Sequence, residues 1–323
     1  MAGFFRSLAF PLLESMDIEQ IRLTRILRVL KERDALPLNI ELTCVADGFF
    51  ASVFDQVTTD IISEEVSIGF DASPSLASLK GVVEFLERRA FHSGHKGGLA
   101  SCQTDRSDGF AAFPLTLRSR GQAKKIARAN AYNEALERYC WATWWDSPSV
   151  KYQLLPSTQF FYRGSLTEKI IEAAEALVAF GNLRVVLLEP NNSSQVVVVL
   201  LGETNDGGFV TGGAAGERSE LQTVLQRAAA ELYRHCLALE RMRNSGPSEE
   251  SFYQRRLAYF GFGGGAEQVR RRLSYHGQMP IELPSLYIDQ EIPQSQSDIV
   301  YVHRCLFQNQ PPFVGGDLGR LCI

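Results

Sequence analysis

The sequence predicts a mixed α/β fold in which one helix-on-sheet unit is repeated, and three observations predict it. Three helix-length segments carry the same stripe of side chains, β-rich apolar runs lie between them, and the stripes recur at about one and two multiples of a roughly fifty-residue unit. Two stripes read Glu84-Phe85-Leu86-Glu87-Arg88 and Glu134-Ala135-Leu136-Glu137-Arg138, and the third reads Arg227-Ala228-Ala229-Ala230-Glu231 and continues to His235. Glu84 and Glu134 are 50 residues apart, and Glu134 and Glu231 are 97 apart.

Each element has a local reason. Segment 17–33 sets Ile18, Ile21, Leu23, Ile26, Leu27 and Leu30 at helical spacing behind Asp17 as a cap. Strand-like apolar runs follow at 38–45 and 49–58. The first striped helix spans 73–91, with Ser73 as its cap and Pro74 in the first turn, where proline's missing N–H costs nothing. A glycine-broken loop at 92–98 and the turn Ser107-Asp108-Gly109 lead into the apolar run 110–113. The second striped helix spans 122–145, basic at its start (Lys124, Lys125, Arg128) and aromatic at its end. An unstriped helix, 166–180, opens on the capping box Ser165 and Glu168. Runs 183–189 and 195–201, joined by Pro190-Asn191-Asn192-Ser193-Ser194, read as a hairpin. The last striped helix, 219–243, follows Gly212-Gly213-Ala214-Ala215-Gly216 and stops at Asn244-Ser245-Gly246-Pro247. Beyond Ser248 the pattern is irregular. The expected organisation is one domain: a peripheral segment 1–64, a core 65–243, and a segment 244–323 that completes the same domain.

Composition excludes several function classes. The chain has 323 residues, 45% hydrophobic and 22% charged, which is the balance of an ordinary globular protein. A net charge of −4 gives no basic footprint for nucleic acid. The apolar stretch 4–13 is interrupted by Arg6 and lacks a small-residue cleavage site, so it does not read as a signal peptide, and no run reaches the length of a membrane span. A cytoplasmic location is expected. Six cysteines (Cys44, Cys102, Cys140, Cys236, Cys305, Cys322) form no Cys-x-x-Cys pair, arguing against a zinc ribbon or disulfide framework and for reduced, buried thiols. His92 and His95 have no third ligand close in sequence, and no Walker-type loop or dinucleotide fingerprint is present.

The stripes carry the chemistry. Residues three and four apart share a helix face. Counting from the first glutamate, position −4 is polar (Lys80, Asn130, Arg227), position −3 is small (Gly81, Ala131, Ala228), and position +4 is Arg88, Arg138 or His235. A Glu–Arg pair at this spacing is common on solvated helices and stabilises by only about 0.3–0.5 kcal/mol there. The first helix, however, also carries Leu76, Ala77, Leu79, Val82, Val83, Phe85 and Leu86, and a helix apolar almost all round is buried. Buried carboxylates need partners, since desolvating each alone costs several kcal/mol. Converging stripes make an oxygen cage suited to Mg²⁺, with structural ion pairs as the competing account.

In their order, these blocks resemble the YcaO family of ATP-dependent peptide-modifying enzymes, over residues 65–243. The family's Gly-Lys-Gly loop and Ser-Ala-x-x-Glu-x-x-Glu-Arg match Ser67-Ile68-Gly69-Phe70-Asp71 and the first stripe. Its Asn-Gly-Leu-Ala-Ala-Gly and Glu-x-x-Glu-Arg match Asp108-Gly109-Phe110-Ala111-Ala112-Phe113 and the second stripe, and its glycine-ended strand and Arg-Ala-x-x-Glu-x-x-x-Gln match Gly216 and the third stripe. The chain departs at the loop lysine, which is absent though Lys80 lies near, at the turn asparagine, which is Asp108, and at the last glutamine, which is His235.

The resemblance implies a YcaO-type fold of helix-on-sheet units around a central nucleotide site, with ATP and Mg²⁺ as cofactors. It implies Glu84, Glu87, Glu134, Glu137 and Glu231 as metal ligands, and Lys80, Arg88, Asp108, Asn130, Arg138, Arg227 and His235 as nucleotide contacts. The activity implied is azoline-forming cyclodehydration at Cys, Ser or Thr of a ribosomal precursor peptide in bacteriocin or peptide-antibiotic maturation. A separate leader-peptide-binding protein and a flavin-dependent azoline dehydrogenase are the implied partners. The departures keep open a second reading, a degenerate non-catalytic subunit that binds or scaffolds the peptide-modifying complex.

Overall fold

The computed structural model describes residues 18–34, 38–45, 47–55, 67–94, 108–115, 118–156, 161–245, 252–292, 299–313 and 318–321. Among the described residues, seven α-helices and ten strands run in the order α1 (Ile18–Asp34), β1 (Leu38–Val45), β2 (Gly48–Asp55), β3 (Ser67–Asp71), α2 (Pro74–Gly94), β4 (Gly109–Pro114), α3 (Arg120–Asp146) and β5 (Gln153–Pro156). They continue with α4 (Leu166–Val178), β6 (Phe180–Leu188), β7 (Gln195–Thr204), β8 (Phe209–Glu217), α5 (Leu221–Ser245), α6 (Phe252–Gly261), α7 (Ala266–Ser274), β9 (Leu286–Glu291) and β10 (Val300–Phe307). The strands form three antiparallel sheets, ordered β1-β2-β3, β4-β10-β9 and β5-β6-β7-β8.

Every striped helix lies on the strand that precedes it: α2 on β3, α3 on β4 and α5 on β8. The contact is possible because each strand offers a glycine. A Cβ on Gly69 would stand 2.0 Å from the Ala77 carbonyl oxygen and 2.3 Å from the Gly81 nitrogen. On Gly109 it would stand 1.8 and 2.4 Å from the same atoms of Ala131 and Ala135, and on Gly212 2.3 and 2.3 Å from those of Ala228 and Leu232. A side chain at any of the three would lift its helix off the sheet.

These seats correct the sequence register. Ala77, Ala131 and Ala228 are spatial equivalents, so the counterpart of Glu134 and Glu231 is Lys80, and Glu84 corresponds to Arg138 and His235. The first block is displaced by one helical turn, which sequence matching of glutamates could not detect. Segment 67–71, matched to a loop by resemblance, is the strand β3.

The main core surrounds the four-stranded sheet. β7 is buried along nearly its whole length, as its unbroken run Val196–Leu201 requires of a strand covered on both faces. Successive residues of β8 point to opposite faces, so Gly212 admits α5 while Gly213 faces α3, where a Cβ would stand 2.5 Å from Trp141 and 2.9 Å from Glu137 Oε1. Thus α3 and α5 meet across a strand of small residues. A second core joins α1 and α2 to β10 through Ile26, Leu30, Val82, Leu86, Val300 and Val302.

One expectation about the elements needs correction. The unstriped helix ends at Val178, because Ala179 takes the left-handed conformation (φ 52°) and the strand begins at Phe180. The region beyond Ser248 is structured: α6 and α7 pack there, and β10 inserts between β4 and β9. Ser165 caps α4 as its capping box predicts, with Oγ accepting the Glu168 N–H at 3.2 Å. Cys140, Cys236 and Cys305 are buried free thiols, but Cys44 is exposed. The side chains of His92, His95, Cys102 and Cys322, and the stretch 4–13, lie outside the described residues.

Candidate active site

The three striped helices bring their carboxylates together. On α2, Glu84 accepts the Ile68 N–H of β3 at 3.2 Å and pairs with Arg88 at 2.7 Å. Glu87, one turn on, reaches sideways to β4 and accepts the Ala112 N–H at 3.0 Å. On α3, Glu134 accepts the Phe110 N–H at 2.6 Å and pairs with Arg138, which also donates to the Asp108 carbonyl. On α5, Glu231 pairs with Arg234 and lies 3.2 Å from His235 Nε2. The guanidinium of Arg234 also stands 3.4 Å from Glu84, which links the third stripe to the first.

The charge inventory separates these five carboxylates into two groups. Glu84, Glu134 and Glu231 each hold an arginine. Glu87 and Glu137 hold no ion pair with any described residue. Burial, then repulsion from Glu134 and Glu84, pushes the Glu87 carboxyl well above the usual range. Glu137 is raised to about 8 by burial and by Glu231 beside it, against a smaller opposing pull from Arg138 and Arg227. Burial also raises Glu134, against the pull of Arg138 and the Phe110 amide. Burial alone would raise Glu231 as well, but Arg234 and His235 outweigh it and bring it to about 2.

Glu84, Glu134 and Glu231 keep 26%, 27% and 29% of their side-chain surface, so the cluster is crowded by protein yet still reached by solvent. Water and small ions can enter, and the surrounding atoms keep the local dielectric low enough for charge to be felt. A divalent cation placed here would replace protons on Glu87 and Glu137 and relieve the repulsion among neighbours. The donor set, all carboxylate oxygen, suits Mg²⁺.

No family model and no curated protein matches the chain. Solved structures match in fold. A chain of the E. coli microcin synthetase McbBCD complex is similar at 11% identity with a TM-score of 0.53, over 85% of this chain and 87% of that one. The same complex with pro-MccB17 bound matches at 13% identity and TM-score 0.51, over 84% and 87%. YcaO from Methanopyrus kandleri, bound with AMPPCP and Mg²⁺, aligns over 90% and 92% at 13% identity and TM-score 0.49.

The fold is of the YcaO type. Within this YcaO-type fold the residues singled out by sequence fall into two sets. Arg88 and Arg138 join the five glutamates, and His235, fully buried, adjoins Glu231 with its Nδ1 2.6 Å from the Thr211 carbonyl. The rest stand apart or are engaged elsewhere. Lys80 is bound to Asp71 at 2.8 Å and to the Phe70 carbonyl at 3.0 Å. The Asp108 carboxylate is buried against Arg304. Asn130 is exposed on α3 one turn before Glu134, and Arg227 is exposed with Nη1 3.2 Å from the Ala215 carbonyl.

Sequence reasoning missed Arg234 and Arg304. Arg234 stands three residues after Glu231, so the spacing that identified the stripes was sufficient to find it. Arg304 had no such signal: it lies on β10, 196 residues from Asp108, and only the insertion of that strand beside β4 brings the two together.

Proposed function

We propose that this chain binds ATP with Mg²⁺ among the striped helices and uses it to activate backbone amides of a ribosomally made peptide, closing azoline rings at Cys, Ser or Thr. The observation that carries this reading is the pair of carboxylates without an ion pair to any described residue, Glu87 and Glu137, in a cluster whose other members already hold arginines. A fold evolved only for structural ion pairs would be expected to pair these two as well, because the protein crowding them disfavours their charged forms.

Glu87 and Glu137 would hold Mg²⁺, with Glu134 and Glu231 turning one oxygen each toward it. Arg88 and Arg138 would remain beside the carboxylates and present positive charge to phosphate oxygens. Bound Mg–ATP supplies a phosphoryl group to the oxyanion formed when a substrate side chain attacks the preceding carbonyl. The protein positions peptide against nucleotide and offsets developing charge, which needs few covalent groups. A separate leader-binding protein and a flavin-dependent dehydrogenase complete this reading as partners. It is supported by the likeness to the microcin synthetase complex, one of whose structures holds pro-MccB17.

A specific observation favours a second reading, a non-catalytic subunit: Arg234 spans Glu231 and Glu84 and supplies from within the protein some of the charge a metal would bring. Phosphate release from ATP, measured with Mg²⁺ and a Cys/Ser/Thr-rich precursor from the same gene neighbourhood, separates the two. Turnover with loss of one water per ring from the peptide supports the enzyme. ATP left intact, with the peptide still bound, supports the subunit.

A further inference from the structure

A different cluster lies on the sheet β4-β10-β9, and the nucleotide reading makes no use of it. Asp289 of β9 and Cys305 of β10 are cross-strand partners, and His303 is two residues from Cys305, so both project from the same face of β10. Helix α3 covers that face and contributes Arg128. One oxygen of Asp289, Oδ1, receives three neighbours: His303 Nε2 at 2.7 Å, Arg128 Nε at 2.9 Å and Cys305 Sγ at 3.8 Å. The ligand atoms of Asp289, His303 and Cys305 all lie within 4.8 Å of one another.

We propose that Asp289, His303 and Cys305 form a Zn²⁺ site. The set is one oxygen, one imidazole nitrogen and one sulfur, the mixture that zinc accepts at four-coordinate sites and that Mg²⁺ or Ca²⁺ does not favour. All three neighbours can donate to this oxygen, but the Cys305 hydrogen bond is the weakest, since a thiol is a poor donor and its sulfur stands 3.8 Å away. A thiol opposite a carboxylate, with an imidazole beside both, is explained by a metal that replaces the protons between them.

The protons balance. Zn²⁺ enters, the Cys305 thiol loses its proton to solvent, and the His303 proton moves from Nε2 to Nδ1, a nitrogen that has no hydrogen-bond partner to fix the tautomer. Carboxylate and thiolate then neutralise the ion. Arg128 gives up Oδ1 and keeps Oδ2, which its Nη2 already holds at 2.5 Å. His303 and Cys305 are buried while Asp289 keeps 31% of its side-chain surface, so the ion enters from the β9 edge and its fourth position faces solvent beside Arg128.

The test uses the full chain, stripped with a chelator and titrated with CoCl₂. The expected result is a thiolate-to-cobalt charge-transfer band saturating at one equivalent and bleached by ZnCl₂. Cys305→Ser removes the band, His303→Ala weakens cobalt affinity by at least about 100-fold, and Cys44→Ser changes neither. A wild-type spectrum without the band overturns the proposal with no appeal to any variant, as does a band that survives Cys305→Ser.

Discussion

Arg234 Nη1 lies 3.4 Å from Oε1 of Glu84 while the same guanidinium grips Glu231, so a single side chain on α5 joins two helices 150 residues apart in sequence. Its own burial would favour the neutral form, and Glu231 more than reverses that, holding the guanidinium charged. Removing it leaves two carboxylates facing one another. Arg234→Met is expected to destabilise the fold by about 1–3 kcal/mol, less than the ~3–5 of a fully enclosed pair because 21% of the side chain meets solvent. MgCl₂ should recover part of that loss if the cation can stand where the guanidinium stood. Urea melts with and without MgCl₂ measure both effects, and an Mg²⁺ response no larger in the variant than in wild type counts against it.

The unpaired carboxylates make stability depend on pH in a stated direction. Glu137 titrates at about 8 in the fold against 4.5 when exposed, so between these values the folded chain holds a proton that the unfolded chain releases. Stability therefore falls as pH rises from about 4.5 to about 8, and Glu87, raised for the same reason, adds to the slope. Glu231 acts oppositely: its contribution is present above 4.5 and is lost as pH falls toward about 2. If Mg²⁺ binds as proposed it would substitute for the protons on Glu87 and Glu137, so the gain in melting temperature from MgCl₂ should grow between pH 6 and about 8. A gain independent of pH would separate the metal from these two groups.

The glycine seats predict a packing failure that no loss of charge can mimic. Gly109→Ala places a methyl 1.8 Å from the Ala131 carbonyl oxygen, so α3 must lift from β4 and carry Glu134 off the Phe110 amide. A loss of about 1–3 kcal/mol or more is expected, with weaker nucleotide binding in whatever fraction stays folded. Gly121→Ala, where a methyl meets nothing within 4 Å, serves as the control and should be neutral or slightly stabilising. Circular-dichroism melts of the two variants decide the matter.

What the sequence made legible follows from how local each signal is. Helix caps and stripes are set by neighbours within one turn, so α2, α3, α4 and α5 and the inward carboxylates could be read directly. Lys80 could not be placed, because its equivalence to Glu134 depends on where Gly69 of β3 seats the helix against Ala77 and Gly81, a contact between two elements. The last third of the chain was opaque for a related reason. β10 carries His303 and Arg304 among apolar residues and is buried on both faces, so neither alternation nor a continuous apolar run marks it, and its partner β4 is supplied by a distant segment. Arg304 and the Asp289 cluster became visible only with that pairing.

In the proposed function, Glu87 and Glu137 await a cation that arrives with nucleotide. Isothermal titration of AMPPCP into the wild-type chain and into Glu137→Gln, each with and without MgCl₂, tests it most directly. Saturable binding to wild type that requires Mg²⁺ is expected, weakened at least about tenfold, roughly 1.4 kcal/mol, in Glu137→Gln. Equal affinity in the two chains, or binding to wild type that is indifferent to Mg²⁺, would contradict it.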